Sequence, residues 1–186
     1  LAVSYEEITT SSTASDSIKK QAGTYSNADF TYSIVSDQRN QVYNPTSGYR
    51  AHFEQTLPLI LDSATLSNTV NITKYHALTD NVIGTIKFQA RSINGLNDED
   101  VRLSRRLFIS KNRLRGFETL QTGPKDGKSY VGGNYSTSLG FEAQLPNLLP
   151  ESTKTDISIF LENSSKALFK KKKIGCQKDV WVKFKY

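Results

Sequence analysis

The chain has 186 residues, 37% of them hydrophobic and 23% charged, with a mean hydropathy of -0.48. It has no run near the roughly 18 apolar residues of a spanning helix, which excludes a helical membrane protein but not a β-barrel, whose strands alternate lipid-facing and lumen-facing side chains. Much of the +6 charge sits in Lys170, Lys171, Lys172 and Lys173, no face interleaves aromatic and basic residues as a nucleic-acid groove requires, and one cysteine (Cys176) with two histidines makes neither a disulfide framework nor a zinc site.

Strand signals recur along the chain between polar or Gly/Pro/Asn-rich connections, and no window carries a 3.6-residue apolar stripe, so the expected fold is all-β. The first predicted strand runs from Leu1 to Ile8, a Ser/Thr/Lys-rich loop extends to about Asn27, and a second strand covers Phe30 to Gln38. From Gly48 to Leu57 the side chains Tyr49, Ala51, Phe53 and Leu57 alternate with Arg50, His52, Glu54 and Thr56. That polar face points to bulk water in a sandwich and to the lumen in a barrel, and this strand alone fits both. A less regular strand follows at Thr69 to Leu78. Val82 to Asn94 then sets Ile86, Phe88 and Ala90 against Lys87, Gln89 and Arg91.

The connection from about 96 to 130 far exceeds a hairpin loop of 2 to 5 residues, and loops of that length are functional or disordered. After it, Gly133 to Leu145 opposes Tyr135, Thr137, Leu139, Phe141, Ala143 and Leu145 to Ser136, Ser138, Gly140, Glu142 and Gln144. Thr155 to Glu162 turns Ile157, Ile159 and Leu161 outward and Asp156, Ser158, Phe160 and Glu162 inward. Alternation alone therefore places Glu142 and Glu162 on the polar face of two neighbouring strands, where both can meet one guanidinium.

Within the long loop stands Arg113-Leu114-Arg115-Gly116-Phe117, then Thr122-Gly123-Pro124-Lys125-Asp126-Gly127, then Val131-Gly132-Gly133-Asn134 at the head of the next strand. The order and spacing of these words resemble the BamA-type outer-membrane assembly family of the bacterial surface antigen superfamily, which carries an RGF motif, a GP turn and a GGN strand start. Asn44-Pro45-Thr46-Ser47-Gly48-Tyr49 resembles that family's turn before a barrel strand, Arg102 to Phe108 its approach to the motif loop, and Phe160 with Glu162 its Phe-x-Asp motif.

The resemblance covers Leu1 to about Glu162. It implies a partial antiparallel transmembrane β-barrel over 1–163, about seven strands of a sixteen-stranded barrel, with the long loop folded inward. It also implies that Arg115 is held by Glu142 and Glu162, with Leu114, Gly116 and Phe117 completing the loop motif and Gly123, Gly132 and Gly133 serving the turn and the strand start. Glu162 stands where the family has Asp. Taken singly, Arg115 would be an ordinary solvated loop arginine and the two glutamates solvent-facing strand residues.

The implied function is insertion of other β-barrels into the outer membrane of a Gram-negative bacterium, by strand templating and lateral opening, without catalysis or cofactor. The implied partners are the lipid bilayer, unfolded outer-membrane protein clients and accessory assembly lipoproteins, with no nucleic acid. A two-partner secretion translocator of the same superfamily and a passive porin-like barrel or soluble β-sandwich are the alternatives. His52 and His76 lack ligand-spaced partners, and Asp98, Glu99 and Asp100 lack an EF-hand pattern. No catalytic triad order, P-loop or dinucleotide motif is present.

The absence of methionine suggests an internal fragment of a longer protein. The Lys-rich tail, 164–186, departs from the family pattern. One reading is a frameshift at the lysine run; the other is a shortened closing strand, since Val180, Val182, Phe184 and Tyr186 alternate.

Overall fold

The computed structural model describes residues 1–12, 19–59, 64–96, 100–115, 117, 123–126, 129–145, 157–170 and 173–175. Seven long strands make one antiparallel sheet: β1 (Ala2–Ile8), β2 (Gly23–Asp37), β3 (Ser47–Pro58), β4 (Thr65–Thr79), β5 (Val82–Gly95), β8 (Tyr135–Leu145) and β9 (Ile157–Lys170). A two-residue ribbon, β6 (Lys125–Asp126) with β7 (Ser129–Tyr130), interrupts the long loop, and the short β10 (Lys173–Gly175) flanks β9. The sheet order is β1-β2-β3-β4-β5-β8-β9-β10, so strands adjacent in the sheet follow one another in sequence once the loop ribbon is set aside, and the sheet is open. Among the described residues no helix is long and apolar enough to cross a membrane.

Among the described residues four boundaries differ from the sequence expectation by more than one residue. β2 starts at Gly23, not Phe30, because Gly23 to Asp29 is too polar to show an apolar alternation yet pairs fully with β1. β4 starts at Thr65, before the expected Thr69, and β8 at Tyr135, after the expected Gly133, which instead bridges to Leu107. β9 runs past Glu162 to Lys170. Its register against β8 continues unbroken through Ser138↔Ser164 and Ser136↔Lys166, since backbone pairing needs no apolar face.

Side-chain polarity is inverted relative to a water-soluble sheet. On the apolar face Ile34 and Ile159 are 63% and 62% exposed, and Phe30, Tyr49, Ile72, Ile86, Leu139 and Phe141 are exposed with them. These positions lie side by side: Ile34 opposes Phe53, Phe53 opposes Val70, and Phe88 opposes Leu139. On the opposite, polar face Ser136, Ser138, Ser164, Lys166 and Thr85 are buried. A soluble sandwich buries its apolar face; a membrane barrel presents it to lipid and keeps polar groups inside. The buried apolar cluster is small, Ile93, Val101 and Leu107, and it lies where the long loop meets β5.

The β2–β3 turn shows the local chemistry of the connections. Gly48 has φ +93°, and a Cβ there would lie 2.1 Å from the Gln38 carbonyl oxygen, so only glycine fits. Asn40 stitches the turn by accepting from the Thr46 and Ser47 backbone N–H groups and donating to the Thr46 hydroxyl.

Candidate functional site

The loop between β5 and β8 lies against the polar face of the sheet. Its tip is turned by the Arg113 and Leu114 N–H groups, which both donate to the Ser110 carbonyl at 2.9 and 3.2 Å. The turn buries Leu114 and presents Arg113 and Arg115 to the wall. Arg113 donates to the Asn71 side-chain oxygen on β4 at 3.2 Å; Asn71 also accepts from Gln89 on β5.

Arg115 makes the denser set of contacts. Its Nε donates to Glu162 Oε1 at 2.7 Å and its backbone N–H to Glu162 Oε2 at 2.6 Å, so one carboxylate holds both main chain and side chain. A guanidinium nitrogen lies 3.5 Å from Glu142 Oε2, and the guanidinium carbon sits 3.6 Å from the centroid of the Phe160 ring. Stacking shields the cation on one face while the carboxylates satisfy its donors.

Strand parity builds this cage. Glu142 opposes Phe160 and Gly140 opposes Glu162, so Glu142, Phe160 and Glu162 all project inward from β8 and β9. Gly140 leaves open the space beside Glu162, in a small cavity that Lys87, Arg113, Arg115, Glu142 and Glu162 also line. Lys87 on β5 pairs with Glu142. The two carboxylates therefore face two cations, Lys87 and Arg115, which removes the repulsion that neighbouring carboxylates would otherwise suffer in a partly desolvated lumen.

The structure thus brings Arg115, Glu142 and Glu162 together. It adds Lys87 and Asn71, which the sequence does not single out. For Lys87 the one signal is its place on the polar face of β5, but which polar-face residue meets which depends on register. The Omp85 superfamily domain matches residues 1–165. This chain belongs to the Omp85 superfamily.

The Omp85 stretch is similar to the outer membrane protein assembly factor BamA of Neorickettsia risticii (strain Illinois), with 26% identity over 153 residues, 80% of this chain and 20% of that protein. The fold is similar to the crystal structure of BamA from Haemophilus ducreyi lacking POTRA domains 1-3, with a TM-score of 0.67 at 18% identity, over 79% of this chain and 31% of that one. The chain spans less than a third of either relative.

The other motif positions of this Omp85 chain fall around the loop. Gly133 exchanges two backbone hydrogen bonds with Leu107, at 2.8 and 3.0 Å, tying the loop to the start of β8. Gly132 has φ +69°, and a Cβ on it would press on the Phe108 ring at 2.9 Å. Gly123 has φ +100° and abuts the aliphatic part of Lys166, whose ammonium lies over the Phe108 ring. Phe117 is half-buried, while Gly116, Thr122, Gly127, Asp98 and Glu99 lie outside the described residues.

Proposed function

We propose that this chain is the wall and inner-loop segment of an outer-membrane β-barrel assembly factor, and that Arg115 with Glu142 and Glu162 is the latch that docks its loop tip inside the barrel. On this reading the protein sits in the outer membrane of a Gram-negative bacterium and catalyses no covalent reaction. Unfolded outer-membrane proteins are its clients, accessory lipoproteins its partners, and a lateral opening of the barrel offers an edge on which a client strand is templated by backbone hydrogen bonds. The observation that carries the proposal is the double grip of Glu162 on Arg115, seated on Phe160, in a sheet whose apolar face is turned outward. A solvated loop arginine has no need of two carboxylates and an aromatic ring.

The test is charge reversal in the full-length protein. Arg115→Glu is expected to slow insertion of a client barrel into lipid vesicles, and Glu162→Arg in the same chain to restore part of the rate. Unchanged insertion by the single variant would refute the latch.

A further inference from the structure

The loop touches the wall in a second place, far from its tip. Arg102 is buried at 4% exposure among side chains of β1 and β2. One of its guanidinium nitrogens donates to Asn27 Oδ1 at 2.6 Å, another lies 3.4 Å from Glu6 Oε2, and the guanidinium carbon is 4.1 Å from the Tyr25 ring centroid. Burial pushes this guanidinium below the usual arginine range and the Glu6 carboxylate opposes that push. Arg105 makes a two-point contact with the Asp29 carboxylate, at 2.7 and 3.4 Å, and donates to the Thr65 hydroxyl at 3.0 Å. Between them the Leu103 N–H donates to the Gln21 side-chain oxygen at 2.7 Å. Arg106 keeps this stretch in shape by bonding back to the Val101 carbonyl and the Asp100 carboxylate, both at 3.1 Å.

We propose that Arg102 and Arg105 form a second, independent anchor that fastens the loop stem to β1 and β2, making the loop a strut across the polar face of the sheet. The charge pairs of the stem go to β1 and β2 and those of the tip to β8 and β9, two parts of the wall that β3, β4 and β5 separate in the sheet, while Thr65 and Asn71 on β4 take one neutral contact each from Arg105 and Arg113. A loop fixed at both sides sets the spacing of those parts, and any change in wall curvature strains one anchor or the other. This also accounts for the polar composition of Gly23 to Asp29: the strand is built to receive two arginines, with Tyr25, Asn27 and Asp29 sharing the inward parity. Arg102 and Arg105 are positioning residues on this view, and their role rests on the proposed assembly function while their geometry does not.

The experiment reads the stem directly. Val101 is fully buried beside Arg102, so Val101→Cys, in the full-length protein with its native cysteines replaced, reports stem docking through its reaction with a charged maleimide. Slow labelling is expected with the anchor intact. Arg105→Asp should speed it about tenfold or more, and Asp29→Arg in the same chain should slow it again. Arg115→Glu should leave it slow. Arg105→Ala serves as the milder variant, and resistance of each barrel to unfolding by detergent at room temperature checks that it is folded. Continued protection in a folded Arg105 variant overturns the second anchor, and acceleration by Arg115→Glu overturns its independence. Because labelling is read without any client, failure of the assembly function would leave this result unaffected.

Discussion

Glu162→Ala removes both carboxylate oxygens that Arg115 uses on β9, and its effect can be sized from the two hydrogen bonds they accept. A hydrogen bond to a charged group contributes about 1.5 to 3 kcal/mol, and Glu162 accepts two, at 2.6 and 2.7 Å. The Arg115 side chain is 35% exposed, so solvent screening discounts that sum, and Glu142 and Phe160 remain in place. The net weakening of tip docking should be about 2 to 3 kcal/mol, which is roughly a 30- to 150-fold rise in the undocked fraction. Trypsin is a suitable probe, because it cleaves after arginine only when the side chain and flanking backbone are free, and its rate follows the open population when opening is fast. Cleavage after Arg115 in the folded full-length protein, followed by mass spectrometry, should accelerate by that factor. Glu162→Gln, which keeps one acceptor and loses the charge, should fall between wild type and alanine. If Glu162→Ala leaves cleavage after Arg115 unchanged while the barrel stays folded, the carboxylate does not hold the tip and the latch is refuted.

Three further outcomes can be measured at other positions. Phe160→Leu keeps apolar volume but loses the stacked ring, and should weaken docking by about 1 kcal/mol, near fivefold in the same cleavage assay, well short of Glu162→Ala. Leu139→Arg places a charge on the outward face; in a lipid-facing wall it should lower stability by about 2 to 4 kcal/mol in urea titrations of vesicle-inserted protein. In a soluble sandwich the same exposed position would change by less than about 0.5 kcal/mol, so a neutral result would refute the membrane orientation. Gly48→Ala should destabilise the β2–β3 hairpin by at least about 1 to 3 kcal/mol, seen as a lower urea midpoint, because its left-handed φ and the Gln38 carbonyl leave no place for a methyl group.

The site is unevenly legible in the sequence, for physical reasons. Glu142, Phe160 and Glu162 can be assigned to one face because a strand has period 2, and Arg115 stands out because the words around it are ordered. Lys87 and Asn71 have the correct parity but no mark to tell them from other polar-face residues. Arg102 and Arg105 are harder still: their partners Glu6, Asn27 and Asp29 lie 75 to 96 residues away along the chain, and Asn27 and Asp29 sit on a stretch of β2 whose polar sequence reads as a loop. The same blindness hides the end of β9, where Ser164 and Lys166 continue the ladder without any apolar alternation.

Local rules are enough for what is local in this chain. Alternation decides which side chains share a face, long polar connections mark the loop, and glycine with asparagine marks the β2–β3 turn, since each depends on a few neighbouring backbone angles. Two matters were decided by tertiary structure alone. Alternation by itself gives two faces but no inside; the folded sheet, with Ile34 and Phe141 exposed and Ser136 and Lys166 buried, turns the apolar face out along its whole width. The course of the loop stem, from β5 across to β1 and β2, depends on charge pairs between residues remote in sequence. Such pairs form only when strand register brings the partners within a few ångströms, a distance that no local pattern encodes.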